Sequence, residues 1–299
     1  MASYRRAVVI YNPAAGGRRL LGRRQVEEAV EVLRVGAGSV DAWPTPGPGQ
    51  GAEMARRAVA EGADLVLACG GDGTINEVVN GLAGSEAALA ILPAGTGNVL
   101  GLELGLPLDP VKAAGRVGEL EPRRIALGRV NGRYFHSMCG AGLDAEIVYH
   151  LDLRSKARLG KLAYFLAAAR ELTRRRERIR ASVDGRESEC TFALAARAAY
   201  YGGSFRIARL AHLLDDGFQA ALFPSRSNLR YLVYLGATVT GNIHRLGDVL
   251  VTRAKRMELT GPGRIQVDGE YAGRLPAVVE AVAGALTLLV PRRYIEAHG

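Results

Sequence analysis

The sequence is poor in cysteine and in aromatic residues. Its three cysteines, Cys69, Cys139 and Cys190, are too few and too widely spaced for a disulfide framework or a cysteine metal site. We therefore expect a reducing, cytoplasmic setting in which the thiols act as small buried hydrophobes. Aromatic residues make up 6% of the chain, and they do not alternate with the arginine runs as a nucleic-acid platform would require. No nucleic-acid partner is predicted.

Long apolar runs are also missing, and we expect no N-terminal leader. Met1 is followed by Arg5, Arg6 and a strand-like run, AVVIY, with no secretory pattern. The most apolar late stretch, AVVEAVAGALTLLV, contains Glu280 and two glycines, and it is shorter than the roughly 20 residues that span a bilayer. We expect no integral membrane segment. The net charge of +9 favours anionic partners, and three classes compete: nucleotide phosphates, an anionic lipid surface and the nucleic acid that the aromatic pattern disfavours.

The first part of the chain alternates apolar strand patterns with helical spacing. The strands are AVVIY (7–11), SVDAW, DLVLAC and ALAILP, and the helices are RRQVEEAVEVLR (23–34), AEMARRAVAEG and TINEVVNGLAG. This alternation predicts an α/β domain whose parallel sheet is covered on both faces. Ligands of such sheets bind outside the carboxyl ends of the strands.

The pattern changes near Arg124 to that of a mainly antiparallel β domain. Asn131-Gly132 and Asp184-Gly185 are hairpin signals between strand-like runs, and the late apolar stretch reads as two strands around Gly284. Helices are expected at 159–176 and 228–241. The predicted domains are an α/β domain (1–124), a β-rich domain (125–290) and a C-terminal tail (291–299), for which packing back on the first domain is one option.

Glycine-rich turns follow three of the predicted strands. The third strand ends in Gly70-Gly71-Asp72-Gly73-Thr74, and Thr74 with Glu77 forms a capping-box pattern that predicts a helix beginning at Thr74. Glycines admit a ligand close to the backbone, and a helix N-terminus attracts anions. Asp72 would repel phosphates unless it handles a cation, and magnesium bound to a nucleotide supplies one.

The other two strand ends have the same character. Gly95, Thr96, Gly97 and Asn98 follow the fourth strand, and Asn12 precedes Gly16 after the first. Three such turns at one sheet edge indicate a polyphosphate that runs across the edge. The sequence has neither the P-loop pattern nor the spacing of a dinucleotide fold.

These motifs resemble the catalytic domain of diacylglycerol kinases and related lipid kinases, including sphingosine and ceramide kinases. The resemblance rests on GGDGTINEVVNGL, LPAGTGN and NPAAGG, followed in order by VNGRYFHSMCGAGLDAEIV, YYGGSFRIA, LLDDGF and IQVDGEYAG. It extends over nearly the whole chain. GGDGT alone is shared with NAD kinases and phosphofructokinases, whereas the full series is typical of the lipid kinases.

The resemblance implies a nucleotide-binding α/β domain, a β-sandwich-like second domain and a cleft between them. It implies that Glu270 is the general base and that Asp72 handles magnesium-ATP. It also implies a structural magnesium ion at Leu213, Asp216 and Phe218. The implied nucleotide contacts are Asn12, Pro13, Ala14, Ala15, Gly16, Thr45, Gly70, Gly71, Asp72, Gly73, Thr74, Ile75, Asn76 and Thr96.

Two positions depart from the family pattern. Val99 and Ala126 stand where many members have aspartates of a magnesium network, which weakens the metal assignment at Asp216. On the lipid side, the apolar face of helix 159–176 is followed by the basic run TRRRER, a combination that fits membrane docking. The alternative for this helix is that it covers its own sheet.

The sequence therefore predicts a peripheral lipid kinase that transfers the γ-phosphate of Mg-ATP to a lipid hydroxyl, with diacylglycerol as the first candidate acceptor. The expected partners are ATP, Mg²⁺, the lipid and an anionic membrane surface, and a homodimer is left open. Two alternatives remain. One is an NAD kinase-like enzyme for a soluble metabolite, and the other is a catalytically silent module that binds nucleotide or lipid.

Overall fold

The computed structural model describes residues 4–15, 22–150, 176–201 and 205–299. The chain divides into a first unit, Met1–Leu127 with Ala283–Gly299, and a second unit, Gly128–Val282. The sequence-based boundaries were 1–124, 125–290 and 291–299. In the structure the chain returns to the first unit at residue 283, inside a strand, and the returning segment is longer than the predicted tail.

Secondary-structure elements of the described residues follow in chain order. The helices are α1 (Arg23–Leu33), α2 (Gly51–Ala60), α3 (Asp72–Leu82), α4 (Val99–Glu103), α5 (Pro110–Ala114), α6 (Leu143–His150), α7 (Asn228–Thr240) and α8 (Arg292–His298), with 3₁₀ turns at Val117–Glu119 and Ile243–Arg245. The strands are β1 (Tyr4–Tyr11), β2 (Ala37–Pro44), β3 (Leu65–Gly70), β4 (Ala88–Pro93), β5 (Leu120–Val130), β6 (Arg133–Phe135), β7 (Met138–Gly142), β8 (Ile179–Val183), β9 (Arg186–Cys190), β10 (Phe192–Ala196), β11 (Tyr200–Tyr201), β12 (Phe205–Arg206), β13 (Phe218–Phe223), β14 (Leu250–Ala254), β15 (Arg256–Thr260), β16 (Arg264–Val267), β17 (Glu270–Arg274) and β18 (Ala277–Pro291).

The first unit is built on a parallel sheet in the order β2-β1-β3-β4-β18. Every residue of β3 and β4 is buried, as expected for strands covered on both faces. The predicted spacing of α1 is confirmed, since Val26, Val30 and Leu33 are buried in one cluster with β1, β3 and α5. The predicted α/β architecture is therefore confirmed.

The second unit consists mainly of antiparallel strands. One sheet runs β14-β13-β10-β7-β16-β17, and β15, β8 and β9 pair next to the first half of β18. Residues of both sets, among them Phe218, Ile265, Met257 and Val279, belong to one buried cluster. The strands therefore pack as a sandwich around a shared apolar core. This confirms the predicted β-rich domain.

Two-residue turns close the hairpins of this unit. Asn131-Gly132 joins β5 to β6 and Asp184-Gly185 joins β8 to β9, and all four residues have φ between 46° and 84°. Positive φ at both central residues gives the type of turn that matches the twist of paired strands. The two hairpins predicted from the sequence are confirmed.

Two expectations about the elements were wrong, and one falls outside the structure. The stretch expected to form two strands around Gly284 is a single strand, β18, in which Gly284 has a φ of 56°. Helix α3 begins at Asp72 and not at Thr74. Residues 159–175 of the helix predicted at 159–176 lie outside the described residues. Helix α7 was predicted correctly, and within the described residues every helix is too short or too polar to cross a bilayer.

Candidate active site

The carboxyl ends of the parallel strands meet at one edge of the first unit. Tyr11 of β1 lies opposite Pro44 of β2 and Cys69 of β3, and Cys69 lies opposite Leu92 of β4. The turns that follow these strands therefore start side by side. The sequence-based placement of the glycine turns at a common edge follows from this register.

The turn after β1 is held by its own asparagine. The Asn12 side-chain oxygen accepts a hydrogen bond from the Ala14 amide at 2.9 Å, and the Asn12 amide donates to the Cys69 carbonyl at 3.1 Å. Thr45, after β2, donates its amide to the Tyr11 carbonyl at 2.8 Å. Gly16 lies outside the described residues. Asn12, Ala14 and Thr45 thus lie close to one another at this edge, and their contact with a nucleotide stays a prediction.

The two glycine turns after β3 and β4 touch through their backbones. A Cβ atom placed on Gly95 would lie 2.4 Å from the Gly71 Cα, a distance that side chains do not tolerate. A Cβ atom on Gly97 would lie 2.5 Å from one carboxylate oxygen of Asp72. The glycines are therefore required for close approach of two backbones. Backbone without side chains also lets a ligand approach its amides closely.

Asn98 closes the second glycine turn. It has a φ of 51°, and its side-chain oxygen accepts the Gly95 amide at 2.7 Å while its side-chain nitrogen donates to the Gly95 carbonyl at 2.8 Å. Thr96 lies between these anchored residues. The turn is thereby preorganised by hydrogen bonds within its own four residues.

Asp72 links the two turns. One of its carboxylate oxygens accepts the Val99 amide at 2.7 Å, at the start of α4. Asp72 is also the first residue of α3, whose N-cap, Gly71, has no side chain with which to cap the helix. The first-turn amides of α3 and its helix dipole favour a bound anion at this position. A carboxylate beside that position is suited to hold a cation that accompanies the anion.

The predicted capping box is wrong because Glu77 has other partners. Its two carboxylate oxygens accept the amides of Gly49 and Gly51, both at 2.7 Å, and so anchor the loop before α2. The Thr74 side chain packs against Gly70, where a Cβ atom would lie 2.7 Å away. Tertiary hydrogen bonds have replaced the local cap.

Some predicted nucleotide contacts lie inside the first unit. Ile75 is fully buried, and its amide donates to the Gly71 carbonyl at 3.1 Å. Asn76 is 2% exposed and accepts a hydrogen bond from the Asn80 side chain at 3.3 Å. Their side chains support α3 beneath the turn, whereas Gly73 and Thr74 belong to its first turn.

Glu270 stands at a tight hairpin in the second unit. Asp268 and Gly269, with φ of 47° and 82°, form the turn, and Glu270 pairs with Val267 across it. The Glu270 carboxylate is about half-exposed and accepts a hydrogen bond from the Arg133 guanidinium at 2.6 Å. A partly solvated, oriented carboxylate of this kind can accept a proton.

Asp268, whose side chain is buried, is a residue of this hairpin that the sequence analysis did not single out. Its carboxylate accepts the amides of His136, Ser137 and Met138 at 2.9 to 3.0 Å. Three backbone amides on one carboxylate fix the turn that carries Glu270. The signal was present in the sequence, because an Asp before a turn glycine often bonds to nearby amides.

The chain matches two family models that together cover most of its length. Residues 6–130 match the model described as the diacylglycerol kinase catalytic domain, and residues 137–290 match the YegS C-terminal NAD kinase beta sandwich-like domain. The chain is 30% identical to a diacylglycerol kinase of Bacillus subtilis strain 168 over 98% of both chains. The chain belongs to the diacylglycerol kinase family.

One further relative and two solved structures are similar to this member of the diacylglycerol kinase family. A diacylglycerol kinase of Staphylococcus aureus strain JH9 is 30% identical over 91% of this chain and 88% of its own. A crystal structure of a Bacillus anthracis strain Sterne protein has a TM-score of 0.82 at 25% identity, covering 98% of both chains. A second, of a diacylglycerol kinase from the same strain, has a TM-score of 0.81 at 23% identity and covers 98% of this chain and 99% of the other. The last comparison bears on the fold alone.

In this member of the diacylglycerol kinase family, the second unit contains an apolar cavity of about 120 Å³. Its lining is drawn from α6, α7, β10, β13 and a neighbouring segment: Leu143, Asp144, Ile147, Phe192, Ile207, Phe223, Tyr231, Tyr234, Leu235 and Thr238. Burial raises the pKa of the Asp144 carboxyl to about 7, although Gln266 donates a hydrogen bond to it at 2.6 Å. Sequence analysis had missed Asp144, although a carboxylate within the apolar run CGAGLDAEIV was a visible signal.

The predicted magnesium ligands do not fit an ion as they stand in the structure. The Leu213 carbonyl accepts a hydrogen bond from the Arg197 guanidinium at 2.8 Å. The Asp216 carboxylate is bound to the Lys255 ammonium at 2.6 Å, and Lys255 holds the pKa of this carboxyl below its ordinary value. Phe218 belongs to β13 and pairs with Ala254. The first two positions are therefore engaged by side-chain cations.

Proposed function

We propose that this chain is an ATP- and magnesium-dependent lipid kinase that phosphorylates diacylglycerol to phosphatidic acid. The observation that carries the proposal is the contact between two glycine turns, Gly70–Thr74 and Gly95–Asn98, at the start of α3. In a member of the diacylglycerol kinase family, such a paired turn is suited to a nucleotide triphosphate. Backbone amides and a helix N-terminus provide the donors that phosphate oxygens require.

The nucleotide site extends along the strand ends. Asn12 and Thr45 follow β1 and β2, the two strands on one side of β3, and their amides donate to carbonyls of neighbouring strands at 3.1 Å and 2.8 Å. Preorganised donors need little rearrangement when the anion binds, which favours both affinity and rate. Asp72, with its second oxygen beside Gly97, would hold the magnesium ion that accompanies ATP. That ion neutralises charge on the phosphates during transfer.

Glu270 is proposed as the general base. Its carboxylate takes the proton of the lipid hydroxyl as the hydroxyl oxygen forms a bond to the γ-phosphorus and the bond from that phosphorus to the bridging oxygen of ADP breaks. Arg133 orients the carboxylate through the 2.6 Å hydrogen bond, and Asp268 fixes the hairpin. General-base catalysis contributes about 10²- to 10⁴-fold in rate.

The apolar cavity of the second unit supports a lipid as the acceptor. Its walls are aromatic and aliphatic, with Phe192, Phe223 and Tyr234 among them. An acyl chain would bury its methylenes there, whereas NAD would find few polar partners. This contrast favours a lipid kinase over a kinase for a soluble metabolite.

Helix α7 supports attachment to a membrane surface. Leu229, Leu232 and Val233 are 76%, 53% and 45% exposed and lie on one face at helical spacing. The opposite face contributes Tyr231 and Tyr234 to the lipid cavity. An exposed apolar stripe on a helix that also lines the cavity fits a helix that lies in the lipid interface.

Exposed arginines around α7 support an anionic lipid surface as the partner. Arg226 precedes α7, and Arg245 lies in the 3₁₀ turn that follows α7. Arg206 belongs to β12, a strand that contacts α7. Arg209 donates to the Thr240 carbonyl at 3.2 Å at the C-terminus of α7. These positive charges complement anionic headgroups.

The test follows transfer of labelled phosphate from ATP to diacylglycerol in anionic vesicles, with NAD as the soluble alternative acceptor. We expect wild-type protein to produce labelled phosphatidic acid and the Glu270→Gln variant to lose about 10²- to 10⁴-fold in kcat. Affinity for ATP should be unchanged in this variant. Labelled NADP, or labelled product at the wild-type rate from Glu270→Gln, would contradict the proposal.

The matched control is Glu258→Gln. Glu258 is also a half-exposed strand carboxylate bound to an arginine, Arg256, at 3.1 Å. It should retain wild-type activity because it lies in β15, away from the hairpin that carries Glu270. Asp72→Asn is expected to lose activity together with its dependence on magnesium concentration.

A further inference from the structure

Arg197 is a charged residue whose side chain lies inside the second unit. It is 1% exposed and stands in an otherwise apolar run, FALAARAA, directly after β10. An isolated buried charge is costly unless it is hydrogen-bonded on several sides. Its surroundings therefore need to supply acceptors.

Those acceptors are three backbone carbonyls of one loop, residues 213–217, which we call the 213–217 loop. Arg197 donates to the carbonyl of Leu213 at 2.8 Å, to that of Asp215 at 2.7 Å and to that of Gly217. The backbone amide of Arg197 donates to the Ser137 carbonyl at 2.7 Å. Convergent carbonyl oxygens are what a bound cation requires, and here the cation is a guanidinium.

Two further cations engage the acidic residues of the same loop. Arg253 contacts the Asp215 carboxylate at 2.6 Å, and Lys255 contacts the Asp216 carboxylate at 2.6 Å. Among the described residues, no group of three histidine, cysteine or acidic side chains is arranged to hold a metal ion. The Leu213 carbonyl oxygen and one carboxylate oxygen of Asp216 are thus already bound to positively charged side chains.

We propose that the Arg197 guanidinium takes the place of a structural divalent ion and that the 213–217 loop of this chain folds without metal. A magnesium ion would need oxygens at about 2.1 Å in near-octahedral geometry. To reach the Leu213 carbonyl it would have to displace a buried guanidinium, and the two like charges would repel strongly in the protein interior. The inference is independent of the proposed function.

The first experiment counts Mn²⁺ ions bound to the full chain without nucleotide, by electron paramagnetic resonance. Mn²⁺ replaces Mg²⁺ at oxygen sites and is directly visible. We expect the wild type and Asp216→Asn to bind the same number of ions, because the loop holds none. One additional tight ion in the wild type that is lost in Asp216→Asn would overturn the inference.

The second experiment measures Tm in EDTA and in millimolar Mg²⁺, again without nucleotide. Arg197→Gln should lower Tm by at least about 5 °C in EDTA, since three backbone carbonyls lose the guanidinium donor. Arg253→Gln is the matched control, because Arg253 contacts the same loop from an exposed position. We expect its Tm to change by less than about 2 °C.

The Arg197→Lys variant separates charge from shape. Lysine keeps the positive charge but lacks the planar fork that reaches several carbonyls, so its Tm should lie between those of the wild type and Arg197→Gln. A Tm of Arg197→Gln equal to that of the wild type would overturn the inference. So would a wild-type Tm that rises with Mg²⁺ when that of Asp216→Asn does not.

Discussion

The contact between Gly71 and Gly95 is the smallest feature on which the proposed nucleotide site depends. A methyl group on Gly95 would lie 2.4 Å from the Gly71 Cα, so that one of the two turns would have to move. We expect Gly95→Ala to weaken binding of an ATP analogue at least tenfold and to destabilise the protein by about 1–3 kcal/mol. Isothermal titration calorimetry and urea unfolding measure the two effects.

The control for this substitution is Gly36→Ala. Gly36 lies in the same unit, and the nearest atom to a Cβ placed there is the Leu33 carbonyl oxygen at 3.9 Å. This variant should bind the analogue as the wild type does. Unchanged affinity in Gly95→Ala would show that the turns are not the phosphate site.

The buried Asp144 carboxyl makes stability depend on pH. Burial raises its pKa to about 7 in the folded chain, from an ordinary value of 3.8. The unfolded chain therefore loses this proton near pH 4, whereas the folded chain keeps it until about pH 7. The stability associated with this group is fully present below pH 4 and decreases as the pH rises towards 7.

An amide at this position removes that dependence. Asp144→Asn has no proton to lose, and its oxygen still accepts the hydrogen bond from Gln266. Relative to the wild type, we expect its free energy of unfolding to increase by about 2–3 kcal/mol between pH 5 and pH 8. Urea unfolding of both proteins at the two pH values gives the difference. A constant difference would show that Asp144 is ionised throughout.

At the scale of elements, the glycine turns and hairpins were predictable and the helix start was not. Dipeptides such as Asn131-Gly132 select a turn by local sterics alone, so the pattern and the structure agree. The predicted start of α3 at Thr74 was wrong because Glu77 accepts hydrogen bonds from the amides of Gly49 and Gly51, which are 28 and 26 residues away in sequence. Local patterns cannot report a partner that only tertiary folding brings near.

The prediction at the scale of elements concerns the binding of α7 to vesicles. Leu232→Glu places a charge in the exposed apolar stripe, and we expect it to lower affinity for anionic vesicles about tenfold or more. Co-sedimentation with vesicles measures this affinity. Binding should also weaken as ionic strength rises, because the neighbouring arginines act through screened charges.

Val35→Glu is the control for Leu232→Glu. Val35 is 92% exposed and belongs to the first unit, whereas α7 belongs to the second, so the same change of charge occurs on a residue that is not part of the proposed surface. This variant should sediment with vesicles almost as the wild type does. Equal loss in both variants would attribute the effect to net charge and would exclude α7 as the docking element.

At the scale of the whole molecule, the C-terminal segment completes the first unit. The second half of β18 adds a fifth strand to its sheet, and α8 follows directly. The Tyr294 hydroxyl donates to the Glu103 carboxylate at 2.7 Å, and both residues are buried. The last residues of the chain therefore stabilise the unit that is built from its first residues.

Tyr294→Phe tests this closure. Removal of the hydroxyl takes a hydrogen-bond donor from a buried carboxylate, and we expect a loss of about 1–3 kcal/mol in the free energy of unfolding. Arg292→Ala, which removes an exposed ion pair with Glu296, should change it by less than about 0.5 kcal/mol. Urea unfolding compares the three proteins. Equal stability of Tyr294→Phe and the wild type would contradict the structural role of the segment.

The sequence by itself determined the architecture and the location of the nucleotide motifs. Hydrophobic periodicity and turn glycines act locally, and strand register then brings the turns of β1, β3 and β4 to one edge. Only the tertiary structure decided which backbone groups bind the buried charges of Asp268 and Arg197. The amides that donate to Asp268 and the carbonyls that accept from Arg197 belong to residues that are distant along the chain. A buried charge must find its hydrogen-bond partners among the groups that the packed core brings to it, and local sequence does not specify them.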